Sequence, residues 1–340
     1  MLNKKLLFFM FFSCTLLQGQ IGGKSIFPFL NLVASPRQAA LGGKPITIYD
    51  EDVNQVHFNP ATLNVEMDNH LSLNYGSLFN EVSYGTASYA YTYDRHLQTL
   101  QIGLNYVNYG KFDGYDSSGV ATATFTGSEI AMSLGYAYSI PNTKIHIGTN
   151  VKLISSALEN YTSFGGAVDI GVIYINESND TNWGLVIRNI GTQFTTYSGT
   201  NEKFPLEITA GVSQQLENVP IRWHFTFENL QQWNLSFSNP ERATTTIDGV
   251  ESPEKVSFIN NTLRHTVLGI ELFPKRAFNI RLGYNFRRSQ ELKILEQRSF
   301  SGISLGFGLK MNKLKFNYSY SKYTLAGNTS LFGLIIDFHE

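Results

Sequence analysis

The sequence predicts an all-β fold: an antiparallel transmembrane β-barrel of about fourteen strands, preceded by a helical plug. Three observations predict it. Apolar and polar residues alternate with period two in segment after segment, connections alternate short and long, and the chain opens with an export leader.

The leader comes first. Lys4 and Lys5 precede the apolar run Leu6 to Leu17, interrupted only by Ser13, Cys14 and Thr15, and Gln18-Gly19-Gln20 follows. That order reads as a secretory signal over 1–20, too short for a membrane anchor. Phe11-Phe12-Ser13 and the apolar residues after Cys14 do not suit a lipid-modified cysteine. With Cys14 removed, the processed chain has no disulfide, thiolate metal site or cysteine nucleophile.

Composition narrows the class. Aromatics make up 14% of the chain and charged residues 16%, whereas soluble proteins are about 25% charged. A net charge of −1 gives no attraction to nucleic acid. Past the leader, no stretch approaches the ~18 consecutive apolar residues of a helical span. Backbone polar groups in lipid must pair within the protein, which leaves the closed barrel.

The alternation is plainest in Phe278, Ile280, Leu282, Tyr284 and Phe286, interleaved with Asn279, Arg281, Gly283 and Asn285. Successive strand side chains point to opposite faces, so one face is apolar and the other polar. Leu314 to Tyr320, Ile221 to Phe227 and Ile303 to Leu309 repeat the pattern. A soluble sandwich also alternates. Segment length, aromatic content and the leader favour a barrel whose apolar face meets lipid. Strands are expected at 70–79, 82–93, 98–109, 125–139, 143–155, 161–175, 182–191, 204–217, 220–230, 264–273, 276–287, 299–311, 313–323 and 329–338.

The connections check the count. From the second onward they alternate between short turns, such as Asn218-Val219 and Pro274-Lys275, and longer loops, such as Gly110 to Thr124 and Gln231 to Leu263. Only Asn80-Glu81 breaks the contrast. Bacterial barrels keep short turns in the periplasm and long loops outside, so the chain is expected to be integral to the outer membrane, in contact with its lipid. The end of the chain, Leu331 to Phe338, is similar to the terminal-strand signal of such barrels.

Residues 21–69 do not read as barrel, which begins at 70 and runs to 340. Their Ala, Leu and Gln suit short helices punctuated by Gly and Pro. A mixed segment placed before a barrel is expected to fill its lumen. Asp50, Glu51 and Asp52 suit a helix amino terminus.

Asn59-Pro60-Ala61, after this acidic stretch, resembles the plug motif of FadL-type fatty-acid transporters, fourteen-stranded barrels with an amino-terminal hatch. A closer resemblance is to the PorV/PorQ family, a FadL-like branch in the type IX secretion system of the Bacteroidetes. Gly22-Gly23, Phe29-Leu30-Asn31-Leu32, Ser35-Pro36-Arg37, Ala40-Leu41-Gly42-Gly43 and Asn59-Pro60-Ala61 carry it, with Tyr284-Asn285-Phe286-Arg287-Arg288 further on. Order, spacing and length suit the PorQ-like members, whose resemblance implies a non-enzymatic role in protein secretion. It implies an outer-membrane anchor holding PorZ at the cell surface, in an attachment complex with PorU and PorV. The alternative is FadL-like transport of long-chain fatty acids or other hydrophobic molecules.

No catalytic constellation stands out. The histidines show no paired zinc spacing, and no nucleophile elbow or phosphate loop occurs, so neither enzyme nor cofactor is expected. Arg222, Arg281 and Arg287 are expected to face the lumen, as plug contacts or solvating a wet interior rather than lining a substrate path. The long connection Gln231 to Leu263 offers a candidate partner surface in Trp233, Leu235, Phe237 and Phe258, with Arg287 and Arg288 as a charged rim.

Overall fold

A computed structural model describes residues 25–33, 35–78, 82–94, 98–116, 118–235, 244–245, 251–252, 257–291, 301–322 and 327–339. The leader, Phe237 and the Asn80-Glu81 turn lie outside the described residues.

Fourteen antiparallel strands close into one barrel. In chain order they are β1 His70–Leu78, β2 Val82–Asp94, β3 Gln98–Phe112, β4 Phe125–Ser139, β5 Ile145–Leu158, β6 Tyr161–Asn176 and β7 Thr181–Thr195. There follow β8 Glu207–Gln215, β9 Ile221–Phe227, β10 Thr266–Leu272, β11 Phe278–Asn285, β12 Ile303–Met311, β13 Leu314–Lys322 and β14 Asn328–Asp337. Each expected strand has its counterpart. β14 closes on β1 through the register His70↔Asp337 to Leu78↔Thr329. A two-residue ribbon, Thr244–Thr245 with Glu251–Ser252, lies within the long connection after β9.

Alternation sets the faces. On β4, Met132, Leu134 and Tyr136 point outward and are exposed, while Ala131, Ser133 and Ala137 point into the lumen and are buried. No described helix is long and apolar enough to cross a membrane. The crossing is made by strands, whose backbone groups pair around the closed sheet.

Strand ends differ from expectation where the chain leaves the wall. β7 runs on to Thr195 through an irregularity in its pairing with β6 between Val168 and Ile170. There Asn189 takes a left-handed backbone, φ 59°. Arg188 and Asn189 are both buried, so the alternation reverses at that point. β8 starts only at Glu207, because Phe204 turns inward to meet Phe27 edge-on at 5.4 Å. β11 ends at Asn285, where helix Phe286–Glu291 begins.

The lumen is filled by residues 25–69. They form the short helix α1 Pro36–Ala40 and 3-10 turns at Pro28–Asn31, Val53–His57, Pro60–Thr62 and Val65–Met67. Phe27, Leu41, Ile46, Ile48, Val53, Val56 and Ala61 are buried there. Two further helices are α2 Phe258–Arg264, before β10, and α3 Phe286–Glu291, after β11.

Candidate functional site

The plug lies against a wall thinned by glycine. Gly148 and Gly171 pair across β5 and β6. A Cβ on Gly148 would fall 2.4 Å from the Pro60 carbonyl carbon. Asn59, Pro60 and Ala61 occupy that flat patch. Asn59 Oδ1 accepts from Ala61 N at 3.0 Å, and its Nδ2 donates to Ile46 O at 2.8 Å. The motif therefore caps its own turn and ties it to the preceding stretch of plug. Leu41 and Gly42 use a second glycine pair, Gly269 and Gly283 of β10 and β11, in the same way.

Charge fixes what glycine seats. Arg37 of α1 donates to both oxygens of Asp50, at 2.9 and 2.8 Å, and to both oxygens of Glu271 on β10, at 2.8 and 3.0 Å. Arg222 adds 3.1 Å to Asp50, and Arg281 adds 3.2 Å to Glu271. Three arginines thus face Asp50, Asp52 and Glu271 in balance. Burial resists ionisation of Asp50, but Arg37 and Arg222 outweigh it and hold the carboxyl well below the usual range. Such two-pronged guanidinium–carboxylate pairs are strong and geometrically specific.

Two further networks repeat the theme. Lys44 reaches Glu207 at 2.7 Å, and Glu207 also binds Arg188. Lys152 meets Asp169 at 2.6 Å and donates to Asn189, whose Nδ2 donates to Asn31 of the plug. Toward the short-turn end, Glu51 takes Lys310 at 2.7 Å and Lys315 at 3.1 Å. His57, against Ser88 at 2.6 Å, is pushed down to about 3 by burial and by the nearby Lys152 and Arg188 charges.

These contacts revise the sequence-based roles. Asp50 and Glu51 are ion-pair partners of the wall rather than a solvated helix start. Only Asp52 caps a turn, accepting from Asn54 N. Arg222 and Arg281 face the lumen as expected. Arg287 does not: the strand has ended, and it pairs along α3 with Glu291 at 3.0 Å. Arg37 entered only as part of the family-like stretch Ser35-Pro36-Arg37, and Glu271 and the glycine pairs were not singled out. The glycines are visible in sequence at lumen-facing parity, but their pairing requires the register.

Beside His57, Lys152 and Arg188 the void is about 10 Å³, room for about one water. A hollow of about 590 Å³ opens at the short-turn end, lined by charged groups including Glu66, Asp180, Lys275 and Lys315. Among the described residues no group of three His, Cys, Asp or Glu is placed to hold a metal.

The β7–β8 seam is incomplete. β7 and β8 pair only from Thr181↔Gln214 to Arg188↔Glu207, leaving the outer half of β7 without β8. The start of the plug covers that gap from within. Ser25 bridges Lys203 in parallel, Ile26 N donates to Lys203 O at 2.9 Å, and Phe27 packs on Phe204.

At the outer rim, Trp233 and Phe258 come together with ring centres 5.3 Å apart. Leu235 is buried, its N donating to Asn261 of α2 at 3.2 Å. Arg288 donates to Gly42 O of the plug, and α2 packs beside α3.

No protein-family model matches the chain, and no curated protein matches it. Solved structures do resemble it. The toluene transporter TbuX of Ralstonia pickettii aligns with a TM-score of 0.56 and 12% identity, over 92% of this chain and 100% of its own. A deltaS2 mutant of the TodX monoaromatic hydrocarbon channel gives 0.56 and 14% identity over the same shares. A Pseudomonas aeruginosa FadL homologue gives 0.49 and 10%, over 94% of this chain and 100% of its own. The chain thus shares its fold with the TbuX and TodX structures; here fourteen strands close around an amino-terminal plug.

Proposed function

We propose that this protein is a sealed outer-membrane barrel that serves as a surface anchor, the role implied by its PorQ-like resemblance. The observation that carries the reading is Arg37, bound two-pronged on one side to the plug's Asp50 and on the other to the wall's Glu271. A hatch that moves to pass a hydrophobic ligand must break that clamp and expose three charges. Ligand pockets run to roughly 300–1,000 Å³ and are mostly apolar. The void beside His57 is far smaller, and the hollow at the short-turn end is charged. The identity of the anchored protein, a PorZ-like partner of PorU and PorV in a type IX secretion system, rests on the sequence resemblance alone.

A second reading, transport of hydrophobic molecules, is favoured by the fold shared with TbuX and TodX and by the outer half of β7, which β8 leaves unpaired and only the plug covers. The fold comparisons lend more to this reading than to secretion, on which they are silent. Deletion of the gene separates the two. Anchoring predicts release of a surface protein into the medium with fatty-acid uptake unchanged. Retention of surface proteins with impaired uptake of long-chain lipids gives the role to transport.

A further inference from the structure

The barrel wall is uneven in height. β6 has 16 residues and β7 has 15, but β9 and β10 have 7 each. A spanning strand needs about 9–11 residues at ~45° tilt. Seven residues at about 3.3 Å each, tilted by ~40°, rise only ~18 Å, against an apolar band ~25 Å tall. On this side the strands alone are too short to match the outer leaflet.

Residues beyond the strands stand where the wall is missing. Phe225 and Phe227 lie on the outward face of β9, stacked 6.5 Å apart. Trp233 packs on Phe227 at 6.4 Å, and Phe258 packs on Trp233 at 5.3 Å, so the apolar column continues past the strand end onto α2. Phe258 is 71% and Ile259 72% exposed, and Leu263 and Trp233 are also open. The support beneath is rigid. His265, fully buried, has its ring nitrogens 2.6 Å from Glu228 O and 2.9 Å from Trp233 O, and its ring stacks on Trp233. Asn261 ties α2 to Leu235 and Trp233. Open apolar side chains on so fixed a base are a surface made for an apolar neighbour.

We infer that α2 and Trp233 complete the lipid-facing wall above β9 and β10, with Phe258 and Ile259 seated among the acyl chains of the outer leaflet. The occupant is lipid rather than protein because the patch is continuous with the lipid-facing column of β9 and fills a shortfall in strand length. This assignment does not depend on the anchoring role.

Cys14 is the one cysteine of the sequence, so with Cys14→Ser a single nitroxide can be placed at Ile259→Cys in the full-length protein, reconstituted into phosphatidylcholine vesicles without any partner. Leu134→Cys on the wall and Val120→Cys in the outer β3–β4 loop give the lipid and water references. The ratio of oxygen to nickel-chelate accessibility at Ile259→Cys should match Leu134→Cys and exceed Val120→Cys several-fold. A ratio like that of Val120→Cys overturns the inference, and so does a nitroxide reached by neither reagent. Should Ile259→Cys fail to assemble, Phe258→Cys carries the same expectation.

Discussion

Asn59 Oδ1 lies 2.0 Å from the point that a Cβ on Gly171 would occupy. The plug motif and the wall therefore share one volume, and only glycine leaves room for both. Gly171→Ala is expected to lower stability by about 1–3 kcal/mol, the usual range for forcing extra atoms into a packed interior. Gly148→Ala should act alike, because its Cβ would meet plug backbone, which cannot rotate away. Denaturant midpoints of the folded barrel in detergent check this. A wild-type midpoint for both variants would mean that the plug is not seated there.

Arg37 is the residue whose loss should cost most. Removing it takes the two-pronged donor from both Asp50 and Glu271 and leaves them the single contacts of Arg222 and Arg281. Breaking a buried ion pair by removing one partner typically costs about 3–5 kcal/mol. Arg37→Met should fall in that range, and adding Glu271→Met should recover part of the loss, since the pair acts as a unit. A double variant whose loss equals the sum of the two single losses would argue against direct coupling.

Acid should loosen the plug in a defined order. His57 in the folded chain is held at about 3, below its unfolded value of about 6.5, by burial first and then by Lys152 and Arg188. The unfolded chain takes up the proton first, so its contribution is full above pH ~6.5 and is lost as pH falls toward ~3. Asp50 is also shifted down, so its share is present above about pH 4 and is lost below that. Labelling of Thr47→Cys, buried beneath the wall, should be slow at pH 8 and accelerate below pH 6.5. Acceleration on raising the pH instead would contradict both assignments.

What the sequence revealed and what it hid divide along one physical line. Period-two alternation is local, so strand number and lumen-facing parity could be read from residues such as Phe278 to Asn285. It misled where local signals competed. Phe286 continues the alternation of β11, yet the chain turns into α3 there and takes Arg287 out of the lumen. Asp50 matched a local helix-start preference, but it is held by Arg37 and by Arg222, the latter 172 residues away. Arg37 and Glu271 are 234 residues apart, and no spacing rule links them. Gly148 and Gly171 become meaningful only once β5 and β6 are in register. The plug's position is thus foreshadowed by composition, and its locking is a property of the closed barrel.

The β7–β8 seam offers a test of whether the plug must move. Ser25 and Lys203 are bridge partners at the uncovered outer half of β7. Paired strands lie about 4.8 Å apart, within the roughly 4.4–6.8 Å Cα separation that a disulfide spans. Ser25→Cys with Lys203→Cys should therefore oxidise readily in an exported protein, where disulfides persist. The bond staples the start of the plug over the gap. A sealed anchor has no use for movement there, so the stapled protein should retain its surface partner at the wild-type level, with or without reductant. A transporter that releases its ligand through the seam should lose uptake when oxidised and regain it on reduction. Reductant-reversible loss of hydrophobic uptake, measured with radiolabelled fatty acid in cells carrying only the stapled variant, would transfer the function from the outer surface to the lumen.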